Sequence, residues 1–307
     1  MKILLAGATG AIGTPLTRRL VARGHQVLGL TRQADKSRAL RELGAVPVVA
    51  DAMNRESLLR AVDGLTADAV LHELTALTDA PTRHAGMETT DRLRSKGSAN
   101  LLAAAEVIGA TVFVTQSIVL GYGYRDHGDK VLTEDDPFGQ PAGTASDPHL
   151  AAMRSAEEQA FTAPVGIALR YGMFYGGDAE QMRPLLAKRK LPVAKGGLLP
   201  WIHHEDAAAA TIAALEHGKA GNAYNIVDDL PVSWADMFTT MAQRFGAPAP
   251  RKIPRWAMRM AAPYVASFAT DTSMRVANTK AKNELDWTPG YPTYQDGLRA
   301  VSRLHIN

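Results

Sequence analysis

Short apolar runs alternate along the chain with stretches whose apolar positions recur every three or four residues, the patterns of buried strands and amphipathic helices. The first run, Ile3 to Ala6, passes through a glycine-rich turn into a helical stretch that ends near Gly24, and a second run, Gln26 to Leu30, follows. Val46 to Ala50, Ala69 to His72, Thr111 to Thr115, Val165 to Tyr171 and Asn222 to Val227 read as further strands. Helical periodicity starts at Arg55, runs from about Met87 to Ile108 and from Pro148 to Phe161, and returns in an alanine-rich stretch from Asp206 to His217. This alternation predicts an α/β fold with a doubly wound parallel sheet of about seven strands. Segments 172–204 and 229–307 are richer in Pro and Trp and irregular in spacing. The expected division is therefore a sheet domain of 1–171 plus 205–228, and a smaller, largely C-terminal lobe of 172–204 plus 229–307. No internal repeat or low-complexity linker interrupts the pattern.

The turn after the first run reads Gly7-Ala8-Thr9-Gly10-Ala11-Ile12-Gly13. Between a strand and a helix, such glycines let the backbone turn tightly against a pyrophosphate, while the free N–H groups of the next helix hold its negative charge. Three glycines spaced by three are weak evidence alone, and their place in a strand–turn–helix unit makes the sheet Rossmann-type. At the end of the second strand, Arg32 stands where a dinucleotide's ribose is read, with Lys36 and Arg38 close by. Cations there attract a 2′-phosphate that an acid would repel, so NADP(H) is the expected cofactor. Asp51, followed by Ala52, is placed past the third strand either to cap the next helix or to bond the adenine amino group.

Composition narrows the function classes. With 46% hydrophobic residues in 307, the chain can bury a large core. No apolar run approaches the ~20 residues of a membrane span, and the glycine turn comes too early for a signal peptide; the cytoplasm is the expected location and no membrane partner is expected. Without cysteine, thiol catalysis, disulfides and thiolate metal sites are excluded. A net charge of +3 with interspersed acids does not indicate nucleic-acid binding.

The chain resembles the extended short-chain dehydrogenase/reductases, the superfamily branch of the nucleotide-sugar epimerases and dehydratases. The resemblance rests on Gly7 to Gly13, Asp51, Gly97-Ser98-Ala99-Asn100-Leu101-Leu102, Phe113-Val114-Thr115-Gln116-Ser117, Leu169 to Gly176, Trp201 to Asp206, and Leu285-Asp286-Trp287-Thr288-Pro289. It implies that Ser117 hydrogen-bonds a substrate oxygen. It also implies that the backbone from Tyr171 through Gly172 and Met173 to Phe174 lies by the nicotinamide, and that dimers form through about Met87 to Ile108 and Pro148 to Phe161.

One departure from the resemblance changes the expected chemistry. The catalytic helix of such proteins opens with Pro-Tyr, with a lysine four residues on and a glutamate four beyond that; here the frame reads Pro148-His149, then Met153, then Glu157. A thioether cannot hold a ribose or lower a phenol's pKa. His149 alone can donate a proton near neutrality, or simply open the helix behind Asp147 as cap and Pro148 at the first turn. Other candidate donors are Ser117, Tyr122, Tyr124, water and an acidic hydroxyl on the substrate. A second departure puts Arg94 where the usual residue is asparagine, either bonding a ligand oxygen or lying on the surface. Together these departures resemble actinomycete reductases that tailor aromatic polyketides and lack the same pair.

Met173, Phe174, Tyr175, Met182, Leu198, Leu199 and Trp201 offer either an apolar pocket or plain core, and the substrate contacts expected are Ser117, Tyr122, Met153, Phe174 and Trp201. Lys188-Arg189-Lys190 reads as a solvated helix face or a diphosphate site. His203 and His204 are adjacent and diverge on a helix start, so no metal is expected. Three functions remain: an NADPH-dependent ketoreductase acting on a bulky polycyclic aromatic small molecule, with Ser117 and His149 at the carbonyl; a nucleotide-sugar epimerase or dehydratase with an unusual proton relay; and a catalytically silent NADP sensor.

Overall fold

A computed structural model describes residues 1–77, 81–177 and 179–303; residues 78–80 of the expected sheet domain, and residues 178 and 304–307 of the expected second lobe, lie outside it. In chain order the first half contains β1 (Lys2–Ala6), α1 (Gly13–Ala22), β2 (Gln26–Thr31), α2 (Ser37–Glu42), β3 (Val46–Val49), α3 (Arg55–Val62), β4 (Ala69–His72), α4 (Glu88–Arg92), α5 (Ser98–Val107) and β5 (Val112–Ile118). Then come β6 (Asp126–Leu132), α6 (Asp147–Ala160), β7 (Val165–Tyr171), β8 (Met173–Tyr175), α7 (Ala179–Ala187), β9 (Leu198–Leu199), β10 (Trp201–His203), α8 (His204–His217) and β11 (Asn222–Ile226). The remainder includes β12 (Val232–Ser233), α9 (Trp234–Arg244), α10 (Arg255–Ala261), α11 (Pro263–Ala269) and β13 (Ser273–Val276).

Seven of these strands form one parallel sheet in the order β11-β7-β5-β4-β1-β2-β3. The strands are apolar because helices cover both faces. Ile3, Leu5, Leu71 and Leu169 face one buried cluster with α1 and α8, and Leu4, Val70 and Phe113 face another with α3 and α5. A third core gathers the elements after β7 and reaches the head of α6, joining Trp201, Trp234, Phe238 and Phe268 to Leu150 and Met153. Among the described residues no helix is long and apolar enough to cross a membrane.

Three local expectations need correction. The helix expected from Met87 to Ile108 is interrupted by a π turn, Leu93–Gly97, between α4 and α5. Ser95 and Ser98 each return their hydroxyls to the carbonyl four residues back, Asp91 and Arg94, a bond that bends helices. The wider turn brings Arg94 inward. Asp51 does not cap α3: Asn54 does, accepting from Ser57 N–H at 3.0 Å, while Asp51 accepts from Met53 N–H at 2.9 Å. Asp147 does not cap α6 either, being its first residue. Its carboxylate turns back to gather the backbone N–H groups of Ala142, Gly143 and Thr144 at 2.8–3.2 Å, and those bonds hold its carboxyl below the usual range.

Candidate active site

The glycine turn is built to exclude side chains. Gly7 has φ of 97°, where a side chain is strained, and a Cβ on it would lie 2.6 Å from the Glu73 carbonyl oxygen at the end of β4. A Cβ on Gly13 would lie 1.9 Å from the Gly7 oxygen. Gly10 N–H donates to that oxygen at 2.9 Å, closing the turn. The crest, Gly10 and Ala11, is exposed, with Thr9 and Ile12 half-buried, and α1 begins with neither a side-chain cap nor an acid in its first turn. Such a helix start presents free donors and its positive dipole end, which fits the pyrophosphate of a dinucleotide.

Past β2, Arg32 and Lys36 are exposed. Arg38 is exposed too, and its Nε donates to Glu42 at 2.8 Å, so part of its charge is already answered. Ala52 is buried, and its carbonyl accepts from Asn100 Nδ2 at 2.7 Å, tying α5 to the loop after β3.

At the carboxyl end of β5, the Ser117 hydroxyl donates to Glu157 Oε1 at 2.6 Å. Glu157 also accepts from Arg170 Nε and Nη2 at 2.7–3.2 Å, both partners being buried. Arg170 Nη1 donates to the Tyr122 hydroxyl, which itself donates to Asn225 Oδ1 at 2.8 Å. Burial raises the Tyr122 phenol to about 12. Ser117 and Tyr122 therefore have their protons aimed at the protein interior, not at a ligand.

His149 does more than open a helix. It is 3% exposed, its Nδ1 lies 2.6 Å from Asp91 Oδ2, and its Nε2 lies 2.9 Å from His84 Nδ1. The His84 and His149 rings stack at 5.2 Å, with Tyr264 of α11 edge-on to both. Asp91 thus faces Nδ1 of His149 and His84 faces its Nε2. Burial holds the His84 pKa below its ordinary value. Both His149 nitrogens are thus engaged, and the expected role as the acid facing a carbonyl is not what this geometry provides. His84 was not anticipated: it stands 65 residues before His149 in a turn without periodic pattern. Both rings border an open groove of about 620 Å³ between α4 and α6.

The other expected substrate contacts are largely core. Met153 is fully buried, sealed where a lysine would stand. Trp201 is 2% exposed, donates from its indole nitrogen to the Val232 carbonyl at 2.9 Å, and packs on Trp234 and Phe238. Tyr175, Leu199, Met173 and Met182 belong to the same cluster or pack against it. Phe174 is half-buried and stacks on His204. Tyr171 donates to Glu73 Oε1 at 3.0 Å, and burial pushes the Glu73 carboxyl up to about 8. Gly172 donates to the Ile226 carbonyl and would clash with Trp201 if it carried a side chain. His203 Nδ1 accepts from Glu205 N–H, capping α8, and Lys188, Arg189 and Lys190 are exposed beyond α7. Arg94 is not on the surface but 5% exposed, beside Asp91.

Known proteins fit this picture. The chain is 36% identical over 97% of its length, and 99% of the relative's, to a 3-diazoavenalumate denitrifying reductase of Streptomyces sp.. It is 27% identical over 98% of its length, and 96% of the relative's, to a 4-hydroxy-2-methyl-3-oxo-4-farnesyl-3,4-dihydroquinoline-1-oxide ketoreductase of Stigmatella aurantiaca. Human epimerase family protein SDR39U1, solved with NADPH, shares the fold at a TM-score of 0.78 and 19% identity, over 99% of each chain. Residues 3–227 match the model of the NAD dependent epimerase/dehydratase family, and the chain belongs to that family.

Proposed function

We propose that this protein is an NADPH-dependent reductase of a bulky aromatic substrate whose hydride acceptor needs no proton from the protein. The observation that carries the proposal is the state of the proton-donor positions: His149 is engaged at both nitrogens, Met153 is sealed in the core, and Ser117 donates to Glu157. The bound nicotinamide would supply the hydride. The glycine cradle holds the cofactor's pyrophosphate, and Arg32 with Lys36 meets its 2′-phosphate.

An aryl diazonium suits this arrangement. A hydride pair forms the new C–H bond, the C–N bond breaks with its electrons leaving on nitrogen, and dinitrogen departs without any proton entering. The Streptomyces relative is named for a denitrifying reduction of a diazo compound. A second reading, reduction of a polycyclic aromatic ketone, is supported by the Stigmatella relative, named a ketoreductase; there the alkoxide takes its proton from water or a phenol of the substrate. Positioned acids typically contribute about 10²- to 10⁴-fold, so a reactive ketone tolerates that loss. Epimerisation and dehydration, which move protons through an intermediate, suit the site less.

Turnover with NADPH deuterated at the transferred position is the test. An aryl diazonium should yield one dinitrogen per NADPH and deuterium on the ring. A deuterated carbinol from a polycyclic ketone, with the diazonium inert, would establish the second reading. Oxidation of NADPH with neither class would overturn both.

A further inference from the structure

Arg94 lies in the π turn with a buried side chain, yet none of its guanidinium N–H groups donates a hydrogen bond among the described residues. Its ion contact is Asp91 Oδ1 at 3.7 Å, beyond hydrogen-bond reach. Arg94 Nε and Asp91 Oδ1 are both buried and without hydrogen-bond partners. Asp91 is already bonded to His149 through its other oxygen. A guanidinium Nε–H held out of water and unused, beside a buried carboxylate oxygen that is also unpaired, is a costly arrangement in a finished core.

The surroundings locate this unpaired donor in the fold. Arg94 acts electrostatically on His72, the last residue of β4, and on Tyr124, which follows β5. It also acts on Tyr264 of α11. Burial first, and then the Arg94 charge, keep His72 down at about 4 and therefore neutral. Burial raises both tyrosine phenols, so neither supplies an anion. This is the carboxyl end of two adjacent central strands, where doubly wound sheets bind their ligands.

We propose that Arg94 receives a carboxylate of the aromatic substrate, bidentate through Nε and one Nη. The proposal deepens the reductase reading and rests on its placement of the substrate at this end of the sheet. A carboxylate matches the fork in plane and spacing, and supplies the charge that Asp91 does not bring within bonding distance. The asparagine expected here would offer an amide; the guanidinium selects an acid.

Benzoate, with methyl benzoate as the neutral control, probes the site in the whole protein by calorimetry, with and without NADP. Benzoate should bind and the ester should not. Arg94→Gln should weaken benzoate at least about tenfold and Arg94→Lys should restore part of the affinity, with NADPH affinity unchanged in both. Equal benzoate binding by wild type and Arg94→Gln overturns the assignment, as does equal binding of the ester. An equal loss of NADPH affinity makes Arg94 a cofactor contact and overturns it too. Should Arg94→Gln fail to fold, the Nε–H resonance of Arg94 in ¹⁵N-arginine-labelled wild type decides: benzoate must shift it, and no shift refutes the proposal. Binding is read without hydride transfer, so failure of the diazonium assay and failure of the carboxylate site are separate results.

Discussion

The glycine cradle and the head of α6 lie at the same end of the sheet but are held by different means. The cradle is set by backbone against backbone: the Gly7 and Gly13 positions leave no room for a Cβ, and Gly10 closes the turn through main-chain atoms. Around α6 the order comes from side chains meeting across long sequence intervals: Ser117 with Glu157, Glu157 with Arg170, Asp91 with His149, and His149 with His84. A main-chain cradle serves the same anion whatever reaction follows. A side-chain network can change its chemistry by single substitutions while the first region stays as it is, and His149 with Met153 is that kind of change.

The comparison is broken most severely at Glu157. Glu157→Ala leaves Arg170 buried without its carboxylate, and urea unfolding should register a loss of about 3–5 kcal/mol; a loss below about 1 kcal/mol would mean that the pair does not hold this end together. Gly13→Ala is the counterpart in the cradle. Its Cβ forces the Gly7 carbonyl aside at a cost of about 1–3 kcal/mol, and NADPH should no longer raise the thermal midpoint, while the unaltered protein shows a clear increase. Arg32→Glu sharpens the cofactor reading: NADPH affinity should fall about tenfold, the loss of one charge-assisted contact, with NADH affinity unchanged or improved in fluorescence titrations.

The last test is the pH dependence of Glu73. The folded protein keeps a proton up to about 8 that the unfolded carboxyl releases near 4.5. Its contribution to stability therefore falls as pH rises from about 4.5 to about 8. Asp228, raised to about 8 by burial, adds a slope of the same sign. Glu73→Gln should remove its own share, flattening the midpoint-versus-pH curve and leaving the Asp228 part in place. An unchanged curve would show Glu73 to be ionised in the folded state.

All seven sheet strands were legible as bounded apolar runs; burial on both faces makes the central ones so, as in Val165 to Tyr171, while β3 keeps its apolar run at the half-exposed edge. The cradle was equally legible, since its glycines carry the geometry themselves. The π turn was not, because Leu93 to Gly97 continues a helical pattern while widening the turn, and the inward position of Arg94 follows from that widening. Met153 could be seen to replace a lysine, but not that Trp201 would use its indole N–H inside the core. His84 left no trace: a single imidazole in a short turn gains meaning only when folding brings it to His149.

The strand order has a consequence for the chain during its synthesis. β1 lies inside the sheet, β2 adds beside it and β3 beside β2, and then β4, β5, β7 and β11 add in succession on the other side. Each strand of this sheet that emerges from a ribosome after β1 therefore finds its neighbour already made. No nascent edge of the seven-stranded sheet has to wait for a distant later segment to complete the pairing beneath it, and that sheet can grow by accretion at the pace of translation, which limits the time that its unpaired strand edges are open to misassembly.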